Sequence, residues 1–79
     1  MYHVYLLLLS NGKIYTGSTP DLTARLDEHD KGLCLSTKNL RPVKLLWSCD
    51  FPDRLTARRF ENYLKTGSGQ AFRNKHLIA

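Results

Sequence analysis

The start of the chain constrains its fold most. Residues 2–9 (YHVYLLLL) form an apolar and aromatic run, broken by Ser10-Asn11-Gly12-Lys13 and resumed over residues 14–18 (IYTGS). Two such runs around an Asn-Gly turn predict a β-hairpin. A hairpin alone is marginal in water, so other elements must cover it. Two turns fit the residues. A two-residue type I′ turn at Asn11-Gly12 pairs Leu8 with Tyr15. A three-residue loop, Ser10-Asn11-Gly12, with a bulge pairs Leu7 with Tyr15. Local propensity suits both.

The covering elements follow in order. Thr19-Pro20-Asp21 predicts a helix over Pro20 to about Lys31, capped by Thr19 and closed by Gly32. Residues 32–41 carry neither helical nor strand period and read as a loop. Residues 42–51 alternate, which places Val43, Leu45, Trp47, Cys49 and Phe51 on one face of a third strand. A second helix runs from Pro52-Asp53 to about Lys65. Gly67 ends it, and Ser68 caps a short helix to the C-terminus. The expectation is a single α/β (α+β) domain over residues 1–79, a small three-stranded antiparallel sheet flanked by helices in the order ββαβαα. At 79 residues a second domain is excluded.

Charge narrows the partner. Twelve Lys and Arg stand against seven Asp and Glu, a net charge of +5. A small basic domain suits a polyanion, most often nucleic acid. Cys34 and Cys49 read as reduced thiols in a cytoplasmic protein, and neither they nor the scattered histidines show zinc spacing. The apolar run Val4 to Leu9 is too short for a signal-peptide core or a membrane span.

Polar residues occupy positions where core belongs. Helical spacing from Leu22 selects Leu22, Arg25, Leu26 and His29; from Ala57 it selects Ala57, Phe60, Glu61 and Leu64. Arg25 and His29 are also i, i+4 neighbours. Buried charges are costly unless paired or bound to something. An internal Arg25–Glu61 pair with a core histidine would satisfy them. So would a polar pocket between helices and sheet.

Tyr5, Tyr15 and Arg25 are spaced by ten, and His29 follows four later. With His3-Val4-Tyr5, Tyr15-Thr16-Gly17, Glu61 in ARRFENYLK and Asn74 in AFRNKHL, the chain resembles the GIY-YIG nuclease family along essentially its whole length. Each short motif is weak, but the ordered set Tyr, Tyr, Arg, His, Glu, Asn is specific. The chain looks most like the small stand-alone members related to the N-terminal nuclease domain of the excision-repair endonuclease, with no tethered DNA-binding domain. His3 and Thr16 depart from the name motifs. Ser18 stands where some repair-type members carry a lysine.

The resemblance implies a metal-dependent endonuclease acting on DNA, with RNA left open and DNA repair or recombination as the setting. It implies Tyr5 as the base and Tyr15 as a positioner of water or phosphate, an order that could be reversed. His29 takes or relays the proton. Arg25 meets the phosphate with a permanently charged fork. Glu61 is the sole protein ligand of Mg²⁺ or Mn²⁺, as suits a cation that keeps its waters. Asn74 orients the phosphate or a water on the metal.

Lys31, Lys38, Arg41 and Lys44, followed by Arg58 and Arg73, are the expected backbone contacts, giving affinity with little sequence information. A protein partner could then supply specificity. The alternatives are a nucleic-acid-binding module without turnover and a structural protein with a buried ion-pair cluster. A shared site needs both tyrosines on one face. That requires the three-residue loop with Gly12 at positive φ, and Tyr5 and Tyr15 on the side of Arg25 and Glu61.

Overall fold

The computed structural model describes residues 1–78 and begins with the hairpin, β1 Tyr2–Leu8 and β2 Ile14–Thr19. Its turn is the three-residue form. The Leu9 amide donates to Lys13 O at 2.9 Å, the Gly12 amide donates to Leu9 O at 3.0 Å, and Gly12 has φ +83°. That left-handed backbone is where a Cβ is penalised and glycine is not. Leu7 therefore faces Tyr15, and Tyr5 faces Gly17.

Next come α1 Leu22–Asp30, β3 Lys44–Phe51, α2 Arg54–Leu64, α3 Gly67–Phe72 and a π-helical turn Arg73–Leu77. The predicted ββαβαα order holds. The sheet is antiparallel in the order β2-β1-β3, so β2 and β3 are edges.

Central β1 is covered on both sides, which is why its sequence is a continuous apolar run. Val4 and Leu6 pack with Ala57 and Leu64 of α2. Tyr5, Leu7 and Leu9 pack with Tyr15, Leu22, Leu26, Leu40 and Val43 on the α1 side.

The single apolar face expected of β3 is not formed. Trp47 pairs with Leu6 and Leu45 with Leu7, leaving Leu46 as an extra residue. The bulge flips the parity. Trp47 and Phe51 pack on the α2 side and Val43 on the α1 side, while Cys49 is exposed.

Two caps also differ from expectation. Asp21, not Thr19, caps α1, accepting from the Ala24 amide at 3.1 Å, and Asp53 does the same for α2. Each carboxylate sits three residues before the amide it accepts from, which is standard capping geometry. Thr19 instead ends β2, and its Oγ1 accepts from the Asp21 amide. Thr66, not Ser68, caps α3. Gly32 closes α1 as expected, with φ +76° and the Leu33 amide donating back to Glu28 O.

Candidate active site

The register places Tyr5 and Tyr15 on the face covered by α1, with ring centroids 6.3 Å apart. His29 completes the group, edge-on to both rings at 5.7 Å and 5.2 Å. It is fully buried, as is Tyr5. The Tyr5 hydroxyl lies 3.0 Å from His29 Nε2, and His29 Nδ1 lies 2.7 Å from Thr37 Oγ1. Burial, with the charge of Arg25 adding to it, pushes the His29 pKa below its ordinary value of 6.5. The ring is therefore neutral at neutral pH.

Burial pushes the Tyr5 phenol up to about 12, although the adjacent Arg25 pulls against this shift. Tyr5 is thus a phenol at neutral pH. The proximity of Tyr5 in turn raises the Arg25 pKa. Arg25 holds only a long, partly exposed contact to Glu28 at 3.5 Å. Its Nε is buried and has no partner among the described residues.

Gly17 makes the close approach of Tyr5 possible. A Cβ there would lie 2.5 Å from the Tyr5 hydroxyl and 3.1 Å from Tyr15 Cε1. Only a hydrogen fits between the two tyrosines and the β2 backbone.

Glu61 is not on this face, contrary to expectation. Ser18 pairs with Val4, so its side chain points to the α2 side, where its hydroxyl donates to Glu61 Oε1. The reason is strand parity: Gly17 meets Tyr5 on one face, and Ser18, one residue on, meets Glu61 on the other. The two halves adjoin around the free edge of β2. An Arg25–Glu61 ion pair does not form; Glu61 pairs with Lys65 at 2.8 Å. Burial works against ionisation of Glu61, but hydrogen bonds from Lys65 and Ser18 outweigh it and hold the carboxyl below its usual range.

An open groove of about 240 Å³ runs along that edge, lined by Tyr15, Thr16, Lys65, Gln70 and Arg73 among others. Asn74 is exposed at its end and accepts from Arg73 Nε at 3.1 Å. Arg58 is exposed on α2 and Lys44 on β3. Lys38 is exposed on the loop, Lys31 pairs with Asp27, and Arg41 donates to the carbonyls of Lys38 and Asp30. Arg41 thereby clasps the loop to α1. Sequence reasoning missed Thr37. Its one signal was a hydroxyl in a loop without period, which is no signal until the loop folds over His29.

Among the described residues no cluster of three or more His, Cys, Asp or Glu could cage a metal ion. The donors at Glu61 are oxygens, one an ionised carboxylate. They fit a hydrated hard cation held through a single carboxylate, not a dehydrated zinc.

A three-stranded α+β domain with a Tyr-Tyr-His-Arg cluster against one edge strand and a glutamate around that edge defines a GIY-YIG-type module. The chain belongs to the GIY-YIG catalytic domain family, whose pattern matches residues 1–75. Membership points to nuclease activity. The chain is similar to a UPF0213 protein of Xanthomonas campestris, 43% identical over 65 residues, covering 81% of this chain and 64% of that protein. A UPF0213 protein of Yersinia enterocolitica is 37% identical over 73 residues, covering 89% of this chain and 73% of that protein. The solution NMR structure of a UPF0213 protein from Bacillus halodurans matches with a TM-score of 0.63 at 26% identity, over 100% of this chain and 88% of that one.

Proposed function

We propose that this chain is a divalent-metal-dependent endonuclease that hydrolyses phosphodiester bonds in DNA, with weak or structure-directed specificity. The observation that supports this best is the buried Tyr5–His29 hydrogen bond beside an arginine whose Nε has no partner among the described residues. Such an arrangement is costly as architecture and useful as chemistry.

The phenol is protonated at neutral pH, so Tyr5 acts with His29 and not alone. A water at the Tyr5 hydroxyl loses its proton to Tyr5 as Tyr5 passes its own to His29 Nε2. The water oxygen bonds to phosphorus, and the ester oxygen departs and takes a proton from solvent. The Arg25 guanidinium donates to the phosphate oxygens as negative charge builds. Tyr15, at the groove, orients the substrate, and Asn74 with Arg73 holds a neighbouring phosphate. Glu61 would hold Mg²⁺ or Mn²⁺ once Lys65, half exposed, swings off its carboxylate. The ion would supply charge neutralisation on the phosphate and the leaving oxygen. Lys38, Lys44 and Arg58 add backbone contacts, with Lys31 and Arg41 contributing less because they are engaged within the chain. Repair or recombination intermediates suit such a nuclease, and a protein partner would supply its specificity.

A nicking assay tests this on plasmid, branched DNA and RNA, with Mg²⁺, with Mn²⁺ and with chelator. Metal-dependent cleavage is expected, lost in Glu61→Gln while the fold and binding persist. Cleavage by that variant at the wild-type rate would remove Glu61 from the metal site. Binding without cleavage under every condition would make the chain a binding module.

A further inference from the structure

Thr37 is fully buried, and its one side-chain partner among the described residues is His29. It is also firmly placed. Its amide donates to Cys34 O at 3.1 Å, its carbonyl accepts from the Leu40 amide at 2.9 Å, and Leu40 O accepts from the Ser10 amide at 2.9 Å. The loop is tied to the hairpin turn at one end and, through Arg41, to α1 at the other. Such anchoring holds a hydroxyl where a flexible loop would not.

Tyr5, His29 and Thr37 form a chain of three polar groups whose protons can run in two directions. In one, Thr37 donates to Nδ1 and Nε2–H donates to the Tyr5 oxygen. The buried phenol hydrogen then has no acceptor, because the guanidinium of Arg25 beside it carries donors only. In the other, the Tyr5 hydroxyl donates to Nε2 and Nδ1–H donates to Thr37. The hydrogen left over then sits on the Thr37 hydroxyl, a rotor, and the phenol is satisfied. The second direction is the consistent one.

We infer that Thr37 is a positioning residue: it fixes His29 as the Nδ1–H tautomer, so that the Nε2 lone pair faces the Tyr5 hydroxyl. The catalytic consequence rests on the proton relay proposed above, whereas the tautomer does not. A neutral imidazole offers one acceptor nitrogen, and the partner of the other nitrogen decides which. When Tyr5 delivers its proton the ring becomes an imidazolium with two donors, and Thr37 still accepts from Nδ1. A methyl in place of the hydroxyl can do neither.

The test uses long-range ¹H–¹⁵N spectra of the histidine rings in the full chain at pH 7.5, comparing wild type with Thr37→Val and Thr37→Ser. Wild type should show His29 protonated on Nδ1 and bare on Nε2. Thr37→Val should shift His29 toward the Nε2–H form, and Thr37→Ser should restore the wild-type signature. In parallel, Thr37→Val should lower kcat about 10- to 100-fold with KM little changed, a part of the 10²–10⁴ that acid–base catalysis contributes. Thr37→Ser should recover most of it. A wild-type His29 protonated on Nε2 overturns the inference even if Thr37→Val does not fold. So does a folded Thr37→Val with an unchanged tautomer. If no substrate is cleaved by the wild type, the nuclease reading fails while the ring spectra still decide the role of Thr37.

Discussion

Replacing Gly17 by Ala tests the close approach on which the site depends. The added Cβ would meet the Tyr5 hydroxyl at 2.5 Å, Tyr5 Cζ at 2.6 Å and Tyr15 Cε1 at 3.1 Å. Carbon contacts prefer about 3.5 Å or more, so the Tyr5 ring must retreat by roughly 1 Å. It has little room: Tyr5 is fully buried and its hydroxyl is bonded to His29. Overpacking of this kind costs about 1–3 kcal/mol. The φ of Gly17 is not positive, so alanine is compatible with the backbone and recovers about 0.4–1 kcal/mol from the unfolded state. The balance is a net loss of about 1–2 kcal/mol, or a fall in Tm of about 5–15 °C for a domain of this size. The rate should suffer more, because a 1 Å misplacement of a reacting group can cost about 10²-fold. Thermal denaturation and single-turnover nicking measure the two effects. An alanine variant with unchanged or raised Tm and near-wild-type cleavage would refute the argument, since Tyr5 would then not need its place against β2.

Arg25→Ala should lower the rate at saturating substrate by about 10²-fold, the scale of losing one donor that stabilises transition-state charge. An effect confined to binding would make Arg25 a phosphate clamp instead. DNA affinity should fall with salt at a slope of roughly −3 to −4 in log K against log salt if about four phosphates are neutralised; a flat response would count against a nucleic-acid substrate. Because His29 is held below 6.5 in the folded state, the unfolded chain takes up its proton first as pH falls. The stability His29 contributes is therefore complete above pH 6.5 and lost below it, as urea denaturation at stepped pH will show. His29→Gln should flatten that dependence, and an unchanged profile would place the titration elsewhere.

Much of this was legible locally. The run Tyr2–Leu9, the Asn-Gly turn and the Pro-Asp pairs at 20–21 and 52–53 specify a hairpin and two helix starts through short-range sterics and capping. The helical period put Arg25 and His29 on one inward stripe, because residues four apart share a face whatever surrounds them. That the two tyrosines, the arginine and the histidine form one cluster followed from that stripe once the three-residue turn was taken.

Tertiary structure decided the rest. Asn11-Gly12 suits either turn, so the register came from how β1 must bury both faces. Alternation alone put Val43 and Trp47 together. Only the packing of β3 on β1 inserted Leu46 as a bulge and sent them to opposite sides. Glu61 lay on the buried stripe of its helix as expected, yet a stripe does not say which side of a sheet its helix covers. Strand parity at Gly17 and Ser18 answered that, placing the carboxylate around the edge from the tyrosines. Thr37 was invisible because a hydroxyl in an aperiodic loop acquires meaning only from a partner eight residues away whose position the whole fold sets. Periodicity within an element is fixed by backbone geometry, whereas the contacts between elements depend on the non-local burial that holds the sheet between its helices.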